Sequence, residues 1–290
     1  MTAAMTGPAS PPARPRARKT RSTARAALST VYGRVGLALL GLVVLAGLLA
    51  PLLSPHGPAE QSREALAGFG TPGHLLGTDD LGRDLLSRLL YGIRTDLEVI
   101  ALGVPLGALL GCAFALLAAV HPMLDTAVQR LFDLTLAFPG LILALAVTAV
   151  LGPGRLPVVV VIALAEIPVF GRQLRAGILV QSEREYALAA RIGGTARTRL
   201  LARHILPNCT DPLVVQIAVS FTVAVFLEGA MSFLGVGVRA PEPTLGSTLS
   251  QALPYLAQAP HFAAGPLLAV LLLVLGFSLL SEALNREIRR

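Results

Sequence analysis

Three carboxylates interrupt runs of sequence that are otherwise apolar. Asp133 lies in residues 131–150, Glu166 in 156–170, and Glu228 just after 212–227. An acid at membrane depth is costly and normally faces protein or a polar pathway. Glu166 stands near the middle of its run and has two readings. Its carboxylate lines a route that favours a cationic solute, or it pairs with Arg172 or Arg175, which follow closely. Other reactive groups are scattered. His56, His74, His121, His204 and His261 all lie outside the apolar runs, so no Ser/His or paired-His arrangement for an intramembrane enzyme emerges. Cys112 and Cys209 belong to no CxxC or Cys/His cluster and are read as packing residues, with no metal site and no disulfide framework. Asp79-Asp80 has no clustered partner either and is read as a helix cap. A phosphate-binding Walker loop needs a lysine, and the single lysine, Lys19, has no glycine-rich loop around it. The chain is therefore expected to bind no nucleotide and no other cofactor.

The elements that must position these groups follow from composition. Of 290 residues, 54% are hydrophobic and only 14% charged, with mean hydropathy +0.69. Soluble domains carry about 25% charged residues, so a water-soluble globule is excluded. A bilayer span needs about 20 mostly apolar residues. Six runs qualify: 35–53, 99–120, 131–150, 156–170, 212–227 continuing past Glu228, and 262–281. The expected class is all-α, a polytopic membrane protein with six transmembrane helices. The first run follows a 34-residue lead, and Pro51 stands where a small-residue cleavage site would be sought, so it reads as an uncleaved anchor.

Orientation comes from Lys and Arg in the connections. With both ends in the cytoplasm, eighteen basic residues fall inside and six outside. The same asymmetry accounts for the net charge of +7 without nucleic acid. The expected organisation is then a disordered basic tail at 1–34 lying along anionic lipid headgroups, a first helix at 35–53, and an extracytoplasmic segment at 54–96. A transmembrane domain follows at 97–285, with a cytoplasmic loop at 181–208, then a cytoplasmic C-terminus at 286–290. Within the outer segment, Leu81, Leu85, Leu86, Leu89 and Leu90 recur at helical spacing, with Arg83, Asp84 and Arg88 opposite. That pattern predicts an amphipathic helix on the outer surface.

The loop at 181–208 is too polar to span. Ser182 followed by Glu185 fits a capping box. Tyr186, Ala189, Ala190 and Gly193 recur at three- and four-residue spacing and make a face of one aromatic and small side chains. Gly193-Gly194 stops the helix, Thr195 caps a second one through Ile205, and Pro207 ends it. Composition leaves two readings of this helical pair: a hairpin lying on the membrane, or a compact knob that another protein approaches closely.

Ala189, Ala190, Gly194, Leu206 and Pro207 stand at the spacing of a loop signature that reads Glu-Ala-Ala, three residues, Gly, nine residues, Ile, any residue, Leu-Pro. Leu188 replaces its Glu and His204 its Ile. The chain thereby resembles permease subunits of ABC importers. Residues 184–186 and 203–208 are similar to the dipeptide, oligopeptide and nickel branch. So are residues 77–88, Asp133 with Ala137-Phe138-Pro139, and Glu228 with residues 231–237. The resemblance covers about residues 35–285. It implies a permease of the bacterial cytoplasmic membrane that moves peptides or a related small solute, metal chelates included, inward. It implies a second homologous permease, two ATP-binding subunits that carry ATP and Mg, and an extracytoplasmic solute-binding protein as partners. It makes 183–194 a coupling helix, with Glu185, Tyr186, Ala189, Ala190, Gly194, Leu206 and Pro207 as ATPase-coupling positions. Asp133 and Glu228 match family positions, and with Glu166 they are the candidates for the substrate pathway. The rival reading is a secondary transporter, which often shows internal repeats; no convincing repeat is found in the sequence.

Overall fold

A computed structural model describes residues 26–289, and among them no regular strand occurs. The tail assignment for residues 1–25 lies outside the described residues. Residues 26–29 already form a helical turn, and Thr30 caps α1 (Val31–Leu48) by accepting from the Gly33 N–H, so helix begins before the expected residue 35. A short α2 (Ala50–Leu53) follows, with Pro51 in its first turn, where the missing N–H costs nothing.

The next element corrects the expected division at residue 96. The outer helix and the second span are one helix, α3 (Leu85–Val120), capped by Asp84. Its 36 residues extend about 54 Å at 1.5 Å per residue, against a hydrocarbon core of about 30 Å. Several turns therefore project beyond the lipid. The expected polar face is also corrected. Arg83, Asp84 and Arg88 are buried, Arg88 at 1% exposure, while Leu81 is exposed. The charges turn inward because they find partners there. Asp79 Oδ2 pairs with Arg83 Nε at 2.6 Å and Arg88 Nε at 3.3 Å. Both guanidiniums donate to Gln251 Oε1, at 3.2 and 2.9 Å. Asp79 does act as a cap, but of a turn: Oδ1 accepts from the N–H groups of Leu81 and Arg83.

The third expected span, 131–150, is broken. Helices α4 (Pro122–Ala137) and α5 (Gly140–Leu151) meet at 94°. Pro139 disfavours helical backbone in the residue before it, and Phe138 is extended at ψ 126°. The fourth, α6 (Arg155–Ser182), runs well past the expected Phe170. The two arginines in its second half are paired: Arg172 with Asp133, and Arg175 with both oxygens of Asp125, at 2.7 and 2.6 Å. After the loop come α9 (Thr210–Phe233), α10 (Leu245–Ala252) and α11 (Pro260–Arg289). Five helices are long and apolar enough to cross a membrane, or six if the bent pair counts as one span.

The longest helix contact is that of α3 with α6. It runs along Gly103, Gly107 and Gly111. A Cβ on Gly107 would lie 2.6 Å from the Ala163 carbonyl, and one on Gly111 would lie 2.3 Å from that of Ile167. Small residues four apart let helix backbones touch, which is how helices adhere where lipid offers no hydrophobic drive. Val99, Ile100 and Val104 of α3, Val161 and Ile162 of α6, Met231 of α9, Leu245 of α10 and Leu273 of α11 fill the core. Leu42, Leu109 and Leu271 point outward, with lipid as their solvent.

Truncating Asp79 to Ala leaves buried Arg88 without its ion-pair partner. The expected cost is about 3–5 kcal/mol, seen as a lower unfolding midpoint of the detergent-solubilised chain. Arg94→Ala breaks only an exposed pair with Glu98, with an expected cost of about 1 kcal/mol or less. Equal midpoints for the two variants would contradict the buried-network account.

Candidate functional site

The loop candidate begins where α6 ends. Ser182 is the last residue of α6, so the expected capping box is not formed. Helix α7 (Glu185–Ile192) starts after a two-residue break, and its N-cap Arg184 makes no side-chain cap bond. Its end is a glycine turn. Thr195 N–H donates to the Ala190 carbonyl and Gly194 N–H to that of Arg191, both at 3.0 Å, with Gly194 at φ +77°. These paired bonds are a Schellman arrangement, and the left-handed residue within it favours glycine. The second helix is shorter than expected and is not capped by Thr195. Helix α8 (Arg197–Leu200) passes into a wide turn at Leu201–Ile205 and a tight one at Leu206–Asn208. Pro207 has no N–H to return to the ladder. Asn208 Nδ2 donates to the His204 carbonyl at 2.7 Å in its neighbourhood.

These pieces close around their own small core of Ala115, Leu174, Ile178, Ala187, Leu200, Leu201, Ile205 and Cys209, with Tyr186, Ala190 and Leu206 packed against it. Arg197 Nε ties the knob to the end of α3 through the Ala119 carbonyl at 2.8 Å. The close-approach face read from the sequence is therefore split. Tyr186 and Ala190 turn inward, whereas Glu185, Leu188 and Ala189 are exposed and Ile192 is 89% exposed. Gly194 and Pro207 lie at the surface. Tyr186 Oη donates to Gln181 Oε1 at 2.9 Å, and burial pushes its phenol up. Burial pushes the Cys209 thiol up to about 11, which keeps it a protonated packing group.

The three membrane acids separate by environment. Glu166 is 4% exposed and accepts from Ser220 Oγ of α9 at 2.5 Å. It does not pair with Arg172 or Arg175, whose partners are on α4. Gly107 of α3 stands against its Cβ. Glu228 is buried and accepts from Ser232 Oγ at 2.7 Å. Asp133 is the open one, its side chain 69% exposed beside Arg172.

Two features escaped the sequence. Buried Asp96 of α3 interacts with Glu228 and accepts from the Leu245 N–H, the first of α10, at 3.2 Å. A carboxylate at a helix N-terminus is favourably placed. Its signal was available: Asp96 repeats at helical spacing with Leu85, Ile93 and Ile100. The other lies at the opposite end of α3 from α7. Taken one by one, the histidines gave no metal cluster, but the fold brings His56, His74 and Asp84 together, with ligand-type atoms within 4.8 Å.

Residues 103–290 match the family described as binding-protein-dependent transport system inner membrane component. A di/tripeptide transport system permease of Pseudomonas aeruginosa is 38% identical over 86% of this chain and 85% of its own length. A dipeptide transport system permease of Haemophilus influenzae is 36% identical over 87% and 88%. A putative peptide transport system permease of Brucella suis is 37% identical over 91% and 89%. The chain belongs to this family: it is a multi-span permease subunit of an ABC importer in the bacterial inner membrane. The family works with separate ATP-hydrolysing subunits and a solute-binding protein.

The Glu166–Ser220 contact is open to a double-mutant cycle. Ser220→Ala leaves a buried carboxyl without its donor and is expected to cost about 1–3 kcal/mol. Adding Glu166→Leu removes the stranded group and is expected to recover most of that loss, because replacing both partners by apolar groups is close to neutral. Thermal unfolding of the solubilised chain reads both. A Ser220→Ala chain as stable as wild type would contradict the contact.

Proposed function

We propose that this permease moves peptides or a related small solute, metal chelates included, into the cytoplasm, and that α7 receives the force of ATP hydrolysis. The names of its relatives support the peptide class. ATP and Mg belong to two partner ATP-binding subunits in this reading, and a second homologous permease completes the pathway. Both termini and α7 face the cytoplasm, as the eighteen-to-six bias of basic residues supports. The extracytoplasmic solute-binding protein delivers the solute on the opposite face.

One observation carries the coupling assignment. On a knob packed around its own core, Leu188, Ala189 and Ile192 of α7 present an uncovered apolar face next to exposed Glu185. Exposed apolar groups rimmed by polar ones suit a protein contact. Tyr186, Ala190 and Leu206 support that face from within, while Gly194 and Pro207 set the turns at its edges. The membrane acids have separate roles. Glu166 and Glu228 hold helices from inside the chain. Asp133, whose exposure leaves it accessible, is the acid that meets the solute or the second permease.

The test uses Ile192→Asp and Ala189→Arg, both on the outward face of α7, in the assembled importer. Membrane insertion and pairing with the second permease should survive. Association of the ATP-binding subunits should weaken roughly tenfold or more, about 1.4 kcal/mol, with uptake lost in parallel. Subunit ratio in purified complexes and solute-stimulated hydrolysis are the readouts. A normal ratio, normal stimulation and normal uptake in both variants would overturn the assignment.

A further inference from the structure

We propose that His56, His74 and Asp84 form a binding site for one divalent cation of the zinc class. The three residues come from different stretches of chain. His56 follows α2, His74 lies in the loop at 71–77, and Asp84 caps α3. One ligand atom from each lies within 4.8 Å of the others. His74 Nδ1 is 3.0 Å from Asp84 Oδ1, and the two imidazole rings are 4.8 Å apart at 32°. His74 and Asp84 are buried, and His56 is half-buried.

Two details favour a cation over a plain hydrogen-bonded pair. First, His56 Nδ1 is enclosed and has no hydrogen-bond partner. A buried polar atom of this kind is rare and calls for an explanation; a metal supplies one without a further protein group. Second, the carboxylate is already oriented. Asp84 Oδ2 accepts from both Ser87 N–H and Ser87 Oγ at 2.7 Å, which leaves Oδ1 turned to His74. The Ser87 hydroxyl also receives the His56 N–H at 3.3 Å, so one residue positions two of the three ligands.

The donor set decides the class of cation. Two imidazoles and one carboxylate suit zinc, at bonds of about 2.0–2.2 Å, with a fourth position left for water. Calcium and magnesium prefer all-oxygen shells. Because bonds of that length bring donors closer than 4.8 Å, the cation would draw the His56 ring inward, and no hydrogen bond at Nδ1 resists that rotation. The result is a clip between the end of α2 and the cap of α3. It would hold the segment at 54–84 against the top of the long helix, beside the Asp79–Arg83–Arg88 network.

The test uses the full chain in detergent, with its affinity tag removed and metals stripped by chelator. It is titrated with Co2+ as a coloured stand-in and then with Zn2+. The expected result is one equivalent of Co2+ per chain, with visible absorption bands of a low-coordinate nitrogen and oxygen site, displaced by Zn2+. His74→Ala should abolish the bands. His56→Gln is the decisive variant. Its ring nitrogen bonds nothing in the fold, so an unchanged unfolding midpoint is expected with affinity reduced at least tenfold. Ser87→Ala, one step further out, should lower affinity about 10–100-fold. His204→Ala, in the loop beyond α8, should bind as wild type. Absence of saturable Co2+ binding in the wild-type chain would overturn the site. Equal stoichiometry and affinity in wild type and His56→Gln would do so as well.

Discussion

The backbone-to-backbone approach of α3 and α6 is the constraint on which the rest of the molecule depends. In lipid, apolar side chains gain nothing by leaving the solvent for one another, so close van der Waals packing must do the joining. Gly103, Gly107 and Gly111 provide it by removing the side chains that would separate the two helices. Once α6 lies in that groove, its other faces are set. Glu166 is enclosed between Gly107 and the Ser220 hydroxyl of α9. Arg172 and Arg175 reach the acids of α4. The end of α6 fixes where α7 begins, and α7 packs back onto Ala115, Leu174 and Ile178 of the same helix pair. Movement of α7 is thereby linked to the helices that enclose the membrane acids.

A second rule runs through the structure: charges pair before they reach lipid. Arg83 and Arg88 share Asp79 and Gln251 at one end. Arg155, at the start of α6, joins Glu98 of α3 at 2.5 Å and Glu242 near α10 at 2.6 Å. At the other end Arg175 and Asp125 form a two-bond fork. These pairs sit at the ends of the spans, where they fix the depth of the helices while the stretches between them stay apolar. Arginine serves such contacts well because its planar fork matches a carboxylate.

The spans were legible because hydropathy over about 20 residues is a local property. So was the loop with its glycine stop, since Gly194 does occupy the left-handed turn. Much of what failed depended on partners outside the stretch that suggested the reading. Arg83, Asp84 and Arg88 looked like a solvent face until Asp79 and Gln251 came within reach. One of the two readings of Glu166 paired it with the nearby arginines, but Asp125 and Asp133 had claimed them. Ser182 looked like a helix start because its own helix was expected to end near Phe170. Tyr186 and Ala190 shared a stripe with Ala189, yet packing turned the first two inward. The bend after Ala137 was written in Pro139, whose effect on Phe138 is local. The hydropathy of the run concealed it.

The coupling role rests on which side of the membrane α7 occupies. Reporter fusions measure that directly. Fusions after residues 70, 155 and 245 should report the outside, and fusions after 125, 195 and 290 the cytoplasm, as the eighteen-to-six distribution of basic residues requires. A cytoplasmic signal at 70 with an external signal at 195 would place α7 beyond the reach of ATP-hydrolysing subunits and contradict the account.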